Sequence, residues 1–185
     1  MSHIVDFAID LETASLAPNA AIVQIGAYCL QSDISFGERI ALTSYETIQS
    51  AGPFKADRNT MEWWDMQPSE IRNYVFGGQL TIIEALQKLN QYIEAQKNCW
   101  QADVIRVWGN GSMFDNLILT HAYDVTGVVR PWSYKGDMCY RTLRALYPEV
   151  QAPTAEVRKH DAVYDAMYQG KHLRAILQHI GKYST

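Results

Sequence analysis

Five side chains in this sequence have the types and spacing to do chemistry together: Asp10, Glu12, Asp115, His160 and Asp165. Asp10 and Glu12 stand two apart in Asp10-Leu11-Glu12-Thr13, at the end of an apolar, β-favouring stretch. In a strand, residues i and i+2 project from the same face, so the two carboxylates come within reach of one cation. Charges of one sign at 4 Å repel by up to about 4 kcal/mol at an effective dielectric near 20, and a divalent ion turns that repulsion into attraction. The bland alternative is a strand that leaves the sheet in solvated acids.

Asp115 lies in Trp108-Gly109-Asn110-Gly111-Ser112-Met113-Phe114-Asp115-Asn116. Ser112-x-x-Asp115 is the pattern of a capping box, in which the acid answers a free backbone N–H at a helix start. That cap accounts for Asp115 locally but not for the two glycines before it, which let a ligand approach the backbone at the end of a strand. The third group is His160-Asp161-Ala162-Val163-Tyr164-Asp165. Five helical positions rotate through about 500°, so His160 and Asp165 would sit roughly 140° apart if both were helical. They converge if His160 lies in the preceding loop; a histidine and an acid on a solvated first helical turn is the competing reading.

The elements that must hold these groups are legible in outline. Ile4 to Leu11, Ala21 to Leu30 and Glu38 to Leu42 read as three strands of a meander. Pro53 to Phe76 reads as short helical pieces broken by Pro68, and Leu80 to Ala95 as an amphipathic helix with Ile82, Ile83, Leu86, Leu89, Tyr92 and Ile93 on its apolar face. Val104 to Trp108 is a strand that turns at Gly109-Asn110-Gly111 into a helix running from Ser112 to about Val125. Gly136 to Tyr147 reads as a helix stopped by Pro148, Gln151 to Lys159 as a loop, and Asp161 to Ile180 as the last helix. Strands first and helices mixed in later predict an α/β layered domain around a partly antiparallel sheet.

A length of 185 residues predicts one domain, residues 1–185, and 48% hydrophobic residues supply a core large enough to exclude native disorder. Sixteen Lys and Arg against twenty Asp and Glu leave a net charge of −4, which excludes non-specific coating of a polyanion and requires any such partner to be held locally. Cys29, Cys99 and Cys139 are far apart with no C-x-x-C spacing, which predicts reduced thiols and a cytoplasmic setting. No signal-like segment and no membrane-spanning apolar run is found, so no membrane is expected as a partner.

Taken in order, Asp-x-Glu, a mid-chain Asp and His-x4-Asp resemble the three motifs of the DEDD superfamily of 3′→5′ exonucleases, in the subgroup whose last motif carries histidine. The longer strings Ala21-Ile22-Val23-Gln24-Ile25-Gly26-Ala27, Met61-Glu62-Trp63-Trp64, Val107-Trp108-Gly109-Asn110-Gly111, Phe114-Asp115-Asn116 and His160-Asp161-Ala162 resemble the phage and prophage exonuclease VIII-like and mycobacterial exoribonuclease-like group. The resemblance implies a ribonuclease H-like fold, a central mixed five-stranded sheet flanked by helices. It also implies two metal ions, Mg²⁺ or Mn²⁺, per active site. By the family pattern Asp10, Glu12 and Asp165 hold the first ion, Asp10 bridges to the second, Asp115 holds the second through water, and His160 is the general base.

The expected substrate is a single strand with a free 3′ end, DNA as first choice and RNA as second, yielding nucleoside 5′-monophosphates. Thr13, Asn110 and Trp64 are the expected substrate contacts; of the adjacent pair Trp63 and Trp64, at most one is expected to meet a base. Arg141, Arg144, Arg158 and Lys159 are minor candidates for guiding phosphates, and His121 reads as a satisfied core histidine. An endonuclease of the same fold and a catalytically silent binding module are the rival readings. A homodimer and a recombination partner protein are further candidate assemblies.

Overall fold

The computed structural model describes residues 3–45, 53–154 and 160–183. Its sheet has five strands, β1 (Ile4–Thr13), β2 (Ile22–Cys29), β3 (Ile34–Arg39), β4 (Val104–Gly109) and β5 (Asp137–Cys139), in the order β3-β2-β1-β4-β5. β1 pairs antiparallel with β2 and parallel with β4, while β3 and β5 extend the two sides antiparallel and parallel respectively. The first strand of the chain is therefore the centre of the sheet. This is the mixed five-stranded sheet with flanking helices of the ribonuclease H-like fold.

The twofold period of β1 divides its side chains between two helical layers. Val5, Phe7, Ile9 and Leu11 face a core built with α3 (Ile82–Cys99) and α4 (Asp115–Thr126), whose Ile82, Leu86, Leu89, Ile118 and Leu119 are buried there. Ala8, on the opposite face, packs with Tyr28 and Trp108 against Ala166, Leu173, Ile176 and Leu177 of α6 (Ala162–His179). Asp10 and Glu12 share the face of Ala8, so the strand alternation aims both acids at the last helix. Two short helices follow, α1 (Arg58–Asp65), whose Asn59, Thr60, Trp63 and Trp64 line a cavity beside the end of β1, and α2 (Ser69–Phe76), with Pro68 between them.

Several boundaries depart from expectation. The third strand is Ile34–Arg39 rather than Glu38 to Leu42, because this edge strand is mostly exposed and lacks the apolar alternation that would mark it. The span read as one helix from Gly136 holds a 3₁₀ turn at Tyr134–Gly136, then β5, then α5 (Tyr140–Leu146). A three-residue strand carries no periodic signal, and β5 is held instead by its pairing with Val107 to Gly109 and by Asp137, which accepts hydrogen bonds from Asn116, Arg130 and Trp132. The Ser112–Asp115 capping box does not form: α4 starts at Asp115, with Phe114 in the cap position and no side-chain cap bond. By contrast α3 does open with a reciprocal capping box between Thr81 and Glu84, and it runs past Ala95 to Cys99.

Candidate active site

The acids meet where the carboxyl end of β1 passes under the start of α6. One carboxylate oxygen from each of Asp10, Glu12 and Asp165 lies within 4.8 Å of the others. The close approach depends on Gly26, the cross-strand partner of Asp10: a Cβ there would stand 2.0 Å from the Ala162 carbonyl oxygen. Gln24, opposite Glu12 on β2 and 1% exposed, fixes the same junction. Its amide donates to Asp161 Oδ1 at 3.0 Å, and its oxygen accepts the Ala162 N–H at 3.1 Å. Asp161 in turn caps α6 by accepting the Val163 N–H.

His160 lies outside α6, in the loop before it, with φ of 64°. Left-handed backbone costs energy for any residue but glycine and persists where surroundings enforce it. Here the turn brings the imidazole into the acid cavity, edge-on to the Trp63 ring at a centroid distance of 4.9 Å. Asp165 is one helical turn into α6, and its carboxylate accepts the backbone N–H of His160. The fourth acid, Asp115, arrives from α4 on the far side of β1, where it accepts the Leu11 N–H at 3.3 Å and is 3% exposed.

Crowding four carboxyls into one partly buried place shifts each of them towards the protonated form. Burial, then the charges of Asp115, Glu12 and Asp165, push Asp10 well above the usual carboxylate range. Burial, then Asp165, Asp161 and Asp115, raise Glu12 to about 8. Burial raises Asp115 to about 7 against the pull of the backbone N–H groups of Leu11, Asp115 and Asn110 and of the Arg141 guanidinium. Burial also raises Asp165, against its bond from His160. An all-oxygen donor set whose ionised form is costly without a counter-charge fits a hard divalent cation such as Mg²⁺ or Mn²⁺ and suits zinc poorly.

Two cavities join at this point. One, of about 380 Å³, is lined by the acids together with Asn110, Phe114, Arg141 and His160. The other, of about 370 Å³, is largely apolar and is lined by Thr13, Leu16, Asn59, Trp63, Trp64 and Phe114 among others. Leu11, Glu12 and Phe114 belong to both. Asn110 brings a buried side-chain oxygen that has no hydrogen-bond partner.

Thr13 stands in the wall of the apolar cavity with its hydroxyl donating to the Ser15 carbonyl at 2.7 Å. Trp64 requires a correction: it is 1% exposed, its indole N–H donates to the Thr13 carbonyl, and it is floor and core rather than a free stacking face. Trp63, 38% exposed beside it, is the indole with surface to offer. Of the minor candidates, Arg158 and Lys159 lie outside the described residues. His121 is half-buried and satisfied by the Pro53 carbonyl.

Two contacts escaped the sequence reading. Gln169 donates to Asp10 Oδ1 at 2.8 Å, and its place one turn beyond Asp165 on α6 was a usable signal, since i and i+4 share a helix face. Gln24 had none, because its role depends on strand register.

Residues 5–177 match the family described as the 3′-5′ exoribonuclease Rv2179c-like domain. A comparison with curated proteins gives no match. Among solved structures, the nuclease domain of 3′hExo, a DEDDh family member bound to rAMP, superposes with a TM-score of 0.63 at 10% identity, covering 97% of this chain and 94% of that one. Exonuclease I gives 0.62 at 13% identity over 95% of this chain, which spans 41% of that protein. Cell-death related nuclease 4 gives 0.56 at 13% identity, covering 98% of this chain and 67% of that one. These likenesses bear on the fold, whereas the family match spans nearly the whole sequence: the chain belongs to the 3′-5′ exoribonuclease Rv2179c-like domain family, a family of 3′-5′ exonucleases.

Proposed function

We propose that this chain is a metal-dependent exonuclease that hydrolyses the terminal phosphodiester at a free 3′ end and releases a nucleoside 5′-monophosphate. The observation that carries this reading is the convergence of Asp10, Glu12 and Asp165 within 4.8 Å, with His160 lining the same cavity and a nucleoside-sized apolar cavity joined to it. Asp10, Glu12 and Asp165 would hold one Mg²⁺ or Mn²⁺ and Asp10 with Asp115 a second. Such a pair, when bound, offsets the charge of the phosphodiester and of the attacking and departing oxygens.

The chain's own residues do the rest. His160, reaching into the cavity from its left-handed turn, accepts the proton of the attacking water, for which it must be neutral. The Trp63 ring edge-on to the imidazole limits its rotation. Gln169 holds one oxygen of Asp10 and leaves the other for a cation. Trp63, Leu16 and Phe114 offer apolar surface to the terminal base.

RNA is the substrate that the family description favours, and single-stranded DNA is the second. The net charge of −4 suits capture of one strand end rather than coating of a duplex. We further propose that residues 1–185 act as one exonuclease unit in a reducing, cytoplasmic setting. Cys29, Cys99 and Cys139 are free thiols, and no helix among the described residues is long and apolar enough to cross a membrane. Matched RNA and DNA oligonucleotides, 5′-labelled, single- and double-stranded, with free or blocked 3′ ends, test the reading. Ladders that shorten from free single-stranded 3′ ends, faster on RNA, are the expected result. Cutting of a blocked end would instead mark an endonuclease.

A further inference from the structure

The acid cavity contains a cationic side chain that pairs with none of its acids. Arg141, on the first turn of α5, lines it together with Asp10, Glu12, Asp115 and Asp165. Its charge is felt by Asp115. Yet among the described residues no carboxylate lies within 4.0 Å of its guanidinium, and no hydrogen bond occupies it. The contrast with the other arginines is plain. Arg106 is bonded through two nitrogens to Asp6, Arg130 to Asp137 and Thr120, Arg174 to Asp33 and Tyr28. A guanidinium carries five donors in a planar fork, so Arg141 presents an unspent anion-binding surface.

The backbone beneath it is shaped to the same end. Gly111, in the turn after β4, has φ of 137°, a conformation that L side chains rarely adopt. A Cβ built there would lie 3.8 Å from Arg141 Cζ and 3.9 Å from Nη2, so the guanidinium rests over the bare turn. The location fixes what the anion would be. The apolar cavity lies beyond Leu11, Glu12 and Phe114, and Arg141 belongs only to the acid cavity. With a terminal nucleoside in the apolar cavity, the group that arrives over the acids is the phosphate joining it to the rest of the strand.

We propose that Arg141 is a catalytic residue that grips the non-bridging oxygens of the scissile phosphate from the wall of the acid cavity. This rests on the exonuclease reading and adds to it a substrate-binding cation. A phosphodiester approaching four carboxylates needs positive charge from more than one direction, and the planar fork supplies it with fixed geometry. The same contact holds the nucleoside 5′-monophosphate after hydrolysis.

The test compares wild type, Arg141→Met and Arg141→Lys in Mn²⁺, with adenosine 5′-monophosphate and adenosine as competing inhibitors of oligonucleotide degradation. Because the side chain is exposed, both variants should melt within a few degrees of wild type. Wild type should bind the monophosphate more tightly than the nucleoside. Arg141→Met should lose about 10–100-fold of that preference, the worth of a charge-assisted bidentate contact, with adenosine binding unchanged. Its kcat should fall at least as far while the Mn²⁺ activation midpoint stays within about twofold, and Arg141→Lys should recover part of the loss. An active wild type whose monophosphate preference survives in Arg141→Met overturns the proposal, as does a loss that extra Mn²⁺ restores in full, since Arg141 would then only tune the acids. A wild type inactive on every 3′ end overturns the exonuclease reading and this inference with it.

Discussion

Replacing Glu12 with glutamine should make the metal-free protein more stable at neutral pH and less stable in acid. Burial and three neighbouring carboxyls raise Glu12 from 4.5 to about 8. Between those limits the folded chain binds a proton that the unfolded chain has lost, so stability falls as pH rises from about 4.5 towards 8. At 1.36 kcal/mol per pH unit, reaching pH 7 costs roughly 3 kcal/mol. A glutamine escapes that cost but brings a buried amide with imperfect partners, worth about 1–2 kcal/mol of destabilisation at every pH. Glu12→Gln should therefore melt below wild type at pH 4.5. At pH 7 in chelator it should melt above wild type by about 2–8 °C, taking 2–4 °C per kcal/mol for a chain of this size. Added Mn²⁺ should reverse the order, since wild type gains the binding free energy and the variant gains little. Thermal melts in chelator and in Mn²⁺ across this range decide it. A melting difference that does not change with pH would mean that Glu12 ionises alike in the folded and unfolded chains, against its burial among acids.

Three other outcomes follow from the same geometry. Asp165→Ala should show a much smaller Mg²⁺- or Mn²⁺-dependent rise in melting temperature than wild type, and equal rises would place the ions elsewhere. His160→Ala should cut turnover by about 10²–10⁴-fold and remove the acidic fall of the pH–rate profile while leaving metal binding nearly unchanged; a change within a few-fold would return His160 to a surface role. Gly26→Ala sets a Cβ 2.0 Å from the Ala162 carbonyl oxygen and must push α6 off the sheet. It should cost about 3 kcal/mol, the upper end of overpacking, and abolish activity with it, whereas a melt within about 2 °C of wild type would mean the junction yields freely.

The parts of the site that were legible in the sequence are those governed by local periodicity. Asp10 and Glu12 share a face because strands alternate, and the rotation of an α-helix makes convergence of His160 with Asp165 conditional on His160 lying in the preceding loop, where it is found. The central sheet was legible only in part. β1 and β4 announce themselves as apolar runs, but β5 is three residues held by pairing with β4 and by Asp137 bonding to the Asn116, Arg130 and Trp132 side chains. Asp115 shows the opposite failure, since a local pattern offered a sufficient account that tertiary structure extended: no capping box forms, and its carboxyl reaches across to the Leu11 N–H of the central strand. Trp63 and Trp64 were indistinguishable in sequence because a short helix at a cavity mouth buries one indole and bares its neighbour, and only packing says which. Gln24 acts across 137 and 138 residues, a distance no local pattern spans.

Asp10 is the residue on which the proposed chemistry turns, because it stands at the meeting point of Glu12, Asp115, Asp165 and Gln169. The most direct measurement is the rate at which wild type and Asp10→Asn shorten a 5′-labelled single-stranded RNA in Mn²⁺ and in chelator, with the released product identified by mass. Wild type should shed nucleoside 5′-monophosphates stepwise from the 3′ end in Mn²⁺ and none in chelator, and a folded Asp10→Asn should release none in either. Persistent shortening by Asp10→Asn, or by wild type stripped of divalent ions, would contradict a metal-dependent exonuclease centred on Asp10.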